Sequence, residues 1–426
     1  MKKPIFRGGA PRPQHKEYVG DYVHNLYEPA GELVFPLPEK AAPLAAAGDP
    51  VLAGQPLAQG AEVLCACSGT VKAVERRGAR GGQRICVIVE NDRKFKNVDG
   101  AGCSADWQEL SRSEILRRIA EAGVPGIDKR RFPTAGKLPV LKAEEVSRIV
   151  LDGSEWEPWC SAESDTMRTR SYGVIQGMRI LLRLFPGAQG VILIGEEDAA
   201  SARALEYAAG PAGGISLVRI SPQAAPGDET IIAERLSDGA EEGKCLVMTP
   251  TGANAVYEAV ALGQPAIRRI VTVAGDAVRN PGNFLVRAGT SCAELLKAAG
   301  GLKSGREIRR AVLGGSMTGT AITSLDVPLE MDCAALLLFD SDEAEERAKT
   351  ATECIRCGRC ARACPAGLMP MLMAKAAESC DLKRYEKDLF GLECTLCGQC
   401  QTACPAGRPL TDLFRYAGGL LGAGRK

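Results

Sequence analysis

Two identical cysteine runs near the end of the chain constrain its fold more than any other feature. In each run three cysteines are spaced by two residues, and a fourth follows after three more and precedes a proline. Such turns bring three thiols to one side of a loop, while the fourth points away from them, so the region is expected to fold around metal. The runs are Cys354-x2-Cys357-x2-Cys360-x3-Cys364-Pro365 (run 1) and Cys394-x2-Cys397-x2-Cys400-x3-Cys404-Pro405 (run 2).

The spacing of both runs is that of bacterial two-cluster ferredoxins, in which the fourth cysteine of each run binds the cluster held by the other run. Zinc is the alternative metal, but zinc sites usually pair two short Cys/His turns per ion, whereas each run here supplies four cysteines. The linker, residues 366–393, is helical in composition. We therefore predict an α-helical ferredoxin module with two [4Fe-4S] clusters. The predicted ligands are Cys354, Cys357, Cys360 and Cys404 for cluster 1, and Cys394, Cys397, Cys400 and Cys364 for cluster 2.

The other nine cysteines stand alone, or nearly so, mostly among apolar neighbours. A chain without an export signal is not expected to build a disulfide framework in a reducing cytosol. Free cysteine behaves as a small hydrophobic residue, so we predict these nine to be buried thiols. They are Cys65, Cys67, Cys86, Cys103, Cys160, Cys245, Cys292, Cys333 and Cys380.

The charge and the apolar pattern exclude several classes of function. Lys and Arg number 53 against 52 Asp and Glu, so no positive field would hold nucleic acid. The apolar stretch Cys333 to Phe339 has seven residues, far fewer than the roughly 18 of a spanning helix. No apolar segment of signal-peptide type follows Met1. We expect a cytoplasmic protein, at most peripheral on the inner face of the cell membrane.

The fold class predicted for the whole chain is multidomain α/β plus β. Residues 1–104 carry short β-branched segments at 48–57, 68–74 and 84–89, separated by Gly and Pro turns. This pattern resembles the barrel-sandwich fold of biotinyl and lipoyl domains. Because no lysine stands at the tip where those domains are modified, we predict a structural role for this first domain.

In residues 105–265 helical and strand patterns alternate, which predicts an α/β layer with a mixed or parallel sheet. The expected helices are 111–122, 170–184 and 201–209, and the expected strands are 190–194 and 244–248.

Residues 266–338 change to strand, turn, strand and helix, an order that suggests a β-grasp module of the SLBB type. Ser291 and Glu294 form a capping box that opens the helix, and Gly300-Gly301 ends it. From 339 to 426 the chain is helical and carries the cysteine runs.

Motifs along the whole chain, in this order, resemble those of the RnfC-like family, the C subunits of Rnf electron-transport complexes. The same layout is similar to that of a cobalamin reductase of propanediol-utilisation compartments, and the middle portion is similar to the NADH-binding flavoprotein of respiratory complex I. The motifs are Gly8-Gly9, Gln14-His15-Lys16-Glu17, Phe132-Pro133-Thr134, Glu155-x-Glu157-Pro158, residues 274–278, residues 281–284, residues 313–320 and the two cysteine runs.

The resemblance implies a module in which FMN takes a hydride from NADH and passes single electrons to the clusters. It also implies that Phe132, Thr134, Glu155 and Glu157 belong to the flavin region. The family's Gly-rich flavin loop is here residues 126–134, where Asp-Lys-Arg-Arg replaces glycines that let backbone N–H groups approach the phosphate. Two indoles, Trp156 and Trp159, flank the second carboxylate. We therefore predict that FMN is absent, although the basic residues 129–131 could instead hold a phosphate or an acidic partner.

The resulting hypothesis is an electron-transfer subunit, linked to NADH or ferredoxin, that relays single electrons through two clusters. The electrons would pass between a soluble donor and a partner protein, which is either part of a membrane complex or a flavoprotein. The alternatives are an NADH-dependent FMN/iron-sulfur reductase and a non-redox assembly scaffold. No catalytic residue is predicted: Gly195-Glu196-Glu197 is typical of the turn before a helix, and His15 is expected to pack rather than to react.

Overall fold

The computed structural model describes residues 9–17, 23–27, 31–59, 63–98, 106–124, 138–211, 213–225, 229–236, 244–341 and 343–422. Four modules follow one another along these residues, in the predicted order. No helix of the described ranges is long and apolar enough to cross a bilayer.

The first module is a small antiparallel sheet wrapped around its own core. Its long hairpin turns at Gly81 and Gly82, both with positive φ, which glycine adopts without steric cost. The inward side chains, such as Leu33, Val87 and Val89, are fully buried. The strand order is β2-β5-β4-β3, with β2 Glu32–Pro36, β3 Pro50–Val51, β4 Gly69–Ala79 and β5 Gly82–Asn91.

The second module is a four-stranded parallel sheet covered by helices, as the alternation of patterns predicted. Its two central strands contain continuous apolar segments, residues 149–151 and 190–194, because both faces of the sheet are covered there. The order is β8-β7-β6-β9, with β6 Val146–Gly153, β7 Gln189–Gly195, β8 Ile215–Ile220 and β9 Lys244–Met248. The helices are α1 Arg112–Glu121, α2 Ala162–Thr169, α3 Ser171–Leu184, α4 Ala199–Ala209, α5 Glu229–Leu236 and α6 Pro250–Leu262.

The third module is a six-stranded mixed sheet with one helix, α7 Cys292–Ala298, capped by the Ser291 hydroxyl as predicted. Its order is β1-β11-β10-β14-β12-β13. Strand β1, Val23–Tyr27, lies within the predicted first domain but pairs parallel with β11 of this module. The sequence pattern did not predict that pairing. The other strands are β10 Arg268–Ala274, β11 Gly282–Arg287, β12 Arg310–Leu313, β13 Thr320–Ile322 and β14 Ala335–Phe339.

The fourth module is helical and encloses the cysteine runs, and the linker between them forms two helices rather than a hairpin. Tyr385 and Phe414 anchor its small core, which also contains Cys360 and Cys400. The helices are α8 Glu343–Lys349, α9 Arg359–Ala363, α10 Pro370–Glu378, α11 Leu382–Lys387, α12 Gln399–Thr402 and α13 Leu410–Leu420.

The prediction of nine buried thiols outside the runs is wrong at two positions. Cys380 is exposed, because the chain leaves α10 there in a left-handed conformation with φ of 53° and turns the side chain outward. Cys245 is half-buried near the start of β9. Six of the others are buried, and Cys103 lies outside the described residues.

Candidate metal centre

Both cysteine runs adopt the same backbone conformation. The second residue after the first cysteine has positive φ in each, at Arg356 and Leu396. The residue after the second cysteine is a glycine with positive φ, at Gly358 and Gly398, and it caps a short helix that carries the third cysteine. Each run is thus a loop that leads directly into a short helix.

Cysteines of both runs line one cavity in the fourth module. Three come from run 2, and the fourth is Cys364 of run 1. Apolar side chains, among them Leu396 and Phe414, complete the wall. The cavity lining is Cys364, Cys394, Cys397 and Cys400, the four residues predicted as ligands of cluster 2.

The first run meets the end of the second run in the same way. Burial raises the pKa of Cys360, and the nearby Cys404 and Cys354 raise it further. Arg347 donates to the Cys404 carbonyl at 2.9 Å and holds that end of run 2 against α8. Cys404 therefore lies near Cys360 of the other run. Cys354 and Cys357 are exposed.

Burial also determines the protonation of the thiols around the cavity. It raises the pKa of Cys394 to about 12 and that of Cys364 above its ordinary value. Metal ligands must be thiolates, so loading of this site is coupled to proton release. Within the described ranges no three His, Cys, Asp or Glu side chains are arranged as a group that could hold a metal ion. The donor set of the cavity, four thiols within an apolar wall, is nevertheless that of an iron-sulfur cluster.

Run 2 faces the second module. Cys397 packs with Trp156, Ala225 and Met317 in one buried cluster. The Arg12 guanidinium lies over the Trp156 ring, 5.5 Å from its centroid, and donates to the Trp156 carbonyl at 2.7 Å. Trp156 thus covers the thiol of Cys397.

The segment 9–17, here called the strap, contacts the fourth module at Gly9, Ala10 and Arg12 and the second module at Gln14 and Lys16. The Gly9 amide donates to the Ala363 carbonyl at 2.9 Å, and the Ala10 amide donates to Gln399 Oε1 at 2.9 Å. A Cβ on Gly9 would lie 1.9 Å from the Gln223 carbonyl oxygen, so only glycine fits between the two modules. Gln399 is fully buried inside run 2 and also accepts from Arg12 Nη1 at 3.0 Å.

Glu155 and Glu157, the two carboxylates assigned to the flavin region, accept hydrogen bonds from other segments of the chain. Glu155, which burial gives a raised pKa, accepts from the amides of Glu163 and Ser164 at the start of α2. Glu157 accepts from the amides of Met317 and Thr318 at 2.8 and 3.0 Å. Phe132 and Thr134, with the rest of the loop 126–134, lie outside the described residues.

Glycine makes the Glu157 contact possible. A Cβ on Gly315 would lie 1.9 Å from the Glu157 carboxylate, so a side chain there would displace it. The motif 313–320 therefore serves as a cradle that ties the third module to the second.

A second cavity, of about 440 Å³, lies at the carboxyl ends of β6, β7 and β8. Ligands of open α/β sheets bind at this edge. Its wall includes Glu196, Glu197 and Asp198, although Asp198 also caps α4 through the Ser201 amide. The turn interpretation of this segment was therefore incomplete, because the segment also borders a cavity.

The charge of this cavity does not suit a flavin phosphate. Its cations, Lys16 and Arg168, are already in contact with the Glu155 carbonyl and the Asp165 carboxylate. The carboxylates on its wall are Glu17, Glu155, Asp165, Glu196, Glu197 and Asp198. A phosphate monoester would meet like charge at close range, so the described walls fit FMN poorly.

The two indoles do not fill this cavity, contrary to the expectation that they occupy the flavin neighbourhood. Trp156 covers Cys397, and Trp159 stacks on His15 with ring centroids 4.5 Å apart. Neither ring is part of the cavity wall. The contact of Trp159 agrees with a packing role for His15. The positive φ of Glu155 and Trp159 turns the chain sharply on both sides of Trp156.

Glu163 is a buried acid that sequence reasoning missed, because no local pattern marks it. Burial raises its pKa to about 7, although Arg269 beside it acts in the opposite direction. Arg269 Nη2 lies 3.3 Å from Glu163 Oε1, and the Thr251 amide donates to Oε2 at 2.8 Å. Between pH 4.5 and about 7 the folded chain therefore keeps a proton on Glu163 that the unfolded chain has already released.

We expect stability to fall as the pH rises from about 4.5 through 7, since the raised pKa favours the protonated folded state. Glu163→Gln should remove this loss and raise the free energy of unfolding at pH 8 by up to about 3 kcal/mol. The urea concentration at the midpoint of unfolding, determined at several pH values between about 5 and 8, measures this change in stability. Glu145→Gln is the control. Lys244 lowers the pKa of Glu145, so the contribution of Glu145 to stability changes with pH in the opposite direction. Equal pH slopes in Glu163→Gln and the parent would contradict the expectation.

Family models match four successive segments of the chain. They are described as the RnfC barrel sandwich hybrid domain (residues 5–94), the Nuo51 FMN-binding domain (119–254), the SLBB domain (270–321) and the 4Fe-4S dicluster domain (353–408). These matches confirm the predicted order of modules.

Curated relatives are named as parts of ion-translocating complexes. The C subunit of the ion-translocating oxidoreductase complex of Pseudomonas aeruginosa is 32% identical over 384 residues, which are 86% of this chain and 49% of the relative. The C subunit of the proton-translocating ferredoxin:NAD(+) oxidoreductase complex of Clostridium ljungdahlii is 28% identical over 404 residues, 91% of this chain and 87% of the relative. The chain spans about half the length of the first of these relatives.

A solved structure shares the fold. The NAD+-reducing [NiFe]-hydrogenase in its H2-reduced state aligns with a TM-score of 0.51 and 18% identity, over 74% of this chain and 64% of that chain. At this identity the likeness concerns the fold alone.

Proposed function

Because the chain belongs to the RnfC family, the C subunits of ion-translocating oxidoreductases, we propose that it relays single electrons through two [4Fe-4S] clusters. The electrons pass between a soluble donor and a partner protein. The observation that carries the proposal is the cavity lined by Cys394, Cys397 and Cys400 of run 2 together with Cys364 of run 1.

The ligand sets proposed are those of the two-cluster ferredoxins. Cluster 2 takes the four cysteines of the cavity, and cluster 1 takes Cys354, Cys357, Cys360 and Cys404. When bound, such clusters accept and donate one electron at a time. The protein's own part is to exclude water from cluster 2 with Trp156 and the strap, and to leave the edge of cluster 1 exposed at Cys354 and Cys357.

The flavin site of the second module is proposed to be degenerate. The acid-lined cavity opposes a phosphate. The bulky residues 128–131 replace the glycines that would let backbone N–H groups approach one. Glu155 and Glu157 are engaged in contacts within the chain. The proposed partners are electron-transfer proteins, either in a membrane complex or a flavoprotein, and the proposed location is the cytoplasm at the inner face of the membrane.

A second candidate is an NADH-dependent FMN/iron-sulfur reductase. The observation that favours it is the 440 Å³ cavity at the carboxyl ends of the parallel strands, where nucleotides bind in sheets of this kind. The two functions differ in one measurable property, the flavin content of the protein.

We expect protein purified without oxygen to contain no stoichiometric flavin and to show no bleaching with NADH, since like charge opposes the flavin phosphate in the cavity. Flavin extracted by acid and quantified by fluorescence measures this. Incubation with excess FMN followed by gel filtration is the control for loss during purification. A stoichiometric flavin in either sample would favour the reductase over the relay.

A further inference from the structure

The two cysteine runs differ in charge. In run 1 the residues between the cysteines include Arg356, Arg359 and Arg362, whereas run 2 has no charged residue between Cys394 and Cys404. The only acid adjoining run 1 is Glu353, immediately before it, so this stretch keeps an excess of positive charge.

The three arginines are exposed, and so are the first two thiols of run 1. Ile355 between them is 64% exposed. None of the ion pairs between described residues involves these arginines. An apolar side chain, two cysteines and three cations are thus exposed together in one short segment, which we call the run 1 collar (Cys354, Ile355, Arg356, Cys357, Arg359 and Arg362).

Run 2 has the opposite environment. Cys397 and Cys400 are buried, and Trp156 and Met317 pack on Cys397. The first two thiols of run 1 are exposed, whereas no thiol of run 2 is, so the exposed approach lies at run 1.

We propose that the run 1 collar is the docking surface for an acidic electron-transfer protein, which exchanges electrons with the chain at the exposed edge of run 1. This proposal rests on the proposed relay function and adds the partner's chemistry. Complementary charge steers such partners together and sets their orientation, and redox encounters use small interfaces. Lipid headgroups suit the collar less, since lipid-binding clusters usually contain four to eight cations.

The test measures binding and does not depend on turnover. The probe is an oxidised acidic [2Fe-2S] ferredoxin of plant type, titrated calorimetrically into the anaerobically purified chain. At about 50 mM salt, Arg356→Glu should weaken binding about tenfold, and Arg356→Glu with Arg359→Glu about a hundredfold. Both losses should shrink at about 500 mM salt because the charges are screened.

Arg76→Glu on the first module is the matched control, because it makes the same change of charge at an exposed arginine outside the collar. It should bind as the parent does. The proposal would be overturned if Arg76→Glu weakened ferredoxin binding as much as the collar variants do. It would also be overturned if neither salt nor the collar substitutions changed the affinity. So would a collar-dependent binding to phosphatidylserine vesicles with none to the ferredoxin, since the surface would then serve lipid.

Iron content separates this proposal from the relay function. Collar variants that contain as much iron as the parent but bind the ferredoxin more weakly support docking at the collar. A parent that holds no iron-sulfur cluster would refute the relay function, and ferredoxin binding would then be judged by the salt and charge dependence alone.

Discussion

Cys364→Ser is expected to remove cluster 2 and leave cluster 1 intact, lowering the iron of the anaerobically purified protein from about eight to about four per chain. The reason is the cavity in which Cys364 lies with Cys394, Cys397 and Cys400, although it belongs to the other run. Cys404→Ser should remove cluster 1 in the same manner, because Cys404 lies near enough to Cys360 of the other run to raise its pKa.

Iron analysis together with EPR of the reduced variants measures these losses and assigns them. The parent should show two interacting signals, and each variant the signal of one isolated cluster. Cys380→Ser is the matched control, since this exposed cysteine stands outside both runs and should leave all iron in place. If Cys364→Ser lost the cluster held by Cys354, Cys357 and Cys360, and Cys404→Ser lost the one held by Cys394, Cys397 and Cys400, each run would bind its own cluster and the proposed ligand sets would be wrong. About four irons in the parent would contradict the presence of two clusters.

Gln399→Ala is expected to release the strap from the fourth module. The Ala10 amide then loses its partner, and Arg12 loses one of its acceptors. A buried donor left without a partner costs about 1–3 kcal/mol, and a bond to a charged group contributes about 1.5–3 kcal/mol. A total of about 3 kcal/mol corresponds to about a hundredfold faster hydrogen exchange at Ala10.

The same variant should lose cluster 2 faster in air, because the strap and Arg12 cover the side of the module next to Trp156. Gln401→Ala is the matched control. The side-chain oxygen of Gln401 accepts one hydrogen bond, from the Thr411 amide within the same module, and no bond from the strap. Equal exchange at Ala10 in the two variants would show that Gln399 does not hold the strap.

Local patterns predicted the secondary structure well where side chains and caps act on near neighbours. The Ser291 cap and strand β9, Lys244–Met248, lie where the sequence placed them, and α1 and α3 begin one residue later than expected. Periodicity and capping depend on residues within one or two turns, so one segment contains all the information they need.

Contacts between modules were not predictable in that way. Strand β1 joins the third module, and Trp156 covers a cysteine of the fourth rather than the flavin region. The segment 195–198 lines a cavity only because three strand ends meet there. Each of these contacts joins residues that are distant along the chain, and no local pattern encodes the partner.

The sequence by itself determined the eight run cysteines, their spacing and the family, because metal-binding spacing and motif order are properties of the chain as written. Only the tertiary structure decided that the first two cysteines of run 1 are exposed, whereas Cys397 and Cys400 of run 2 are buried. That difference depends on contacts such as Ala10 with Gln399, 389 residues apart, and on Trp156 over Cys397. Burial results from the packing of modules, so two runs of identical spacing have different surroundings.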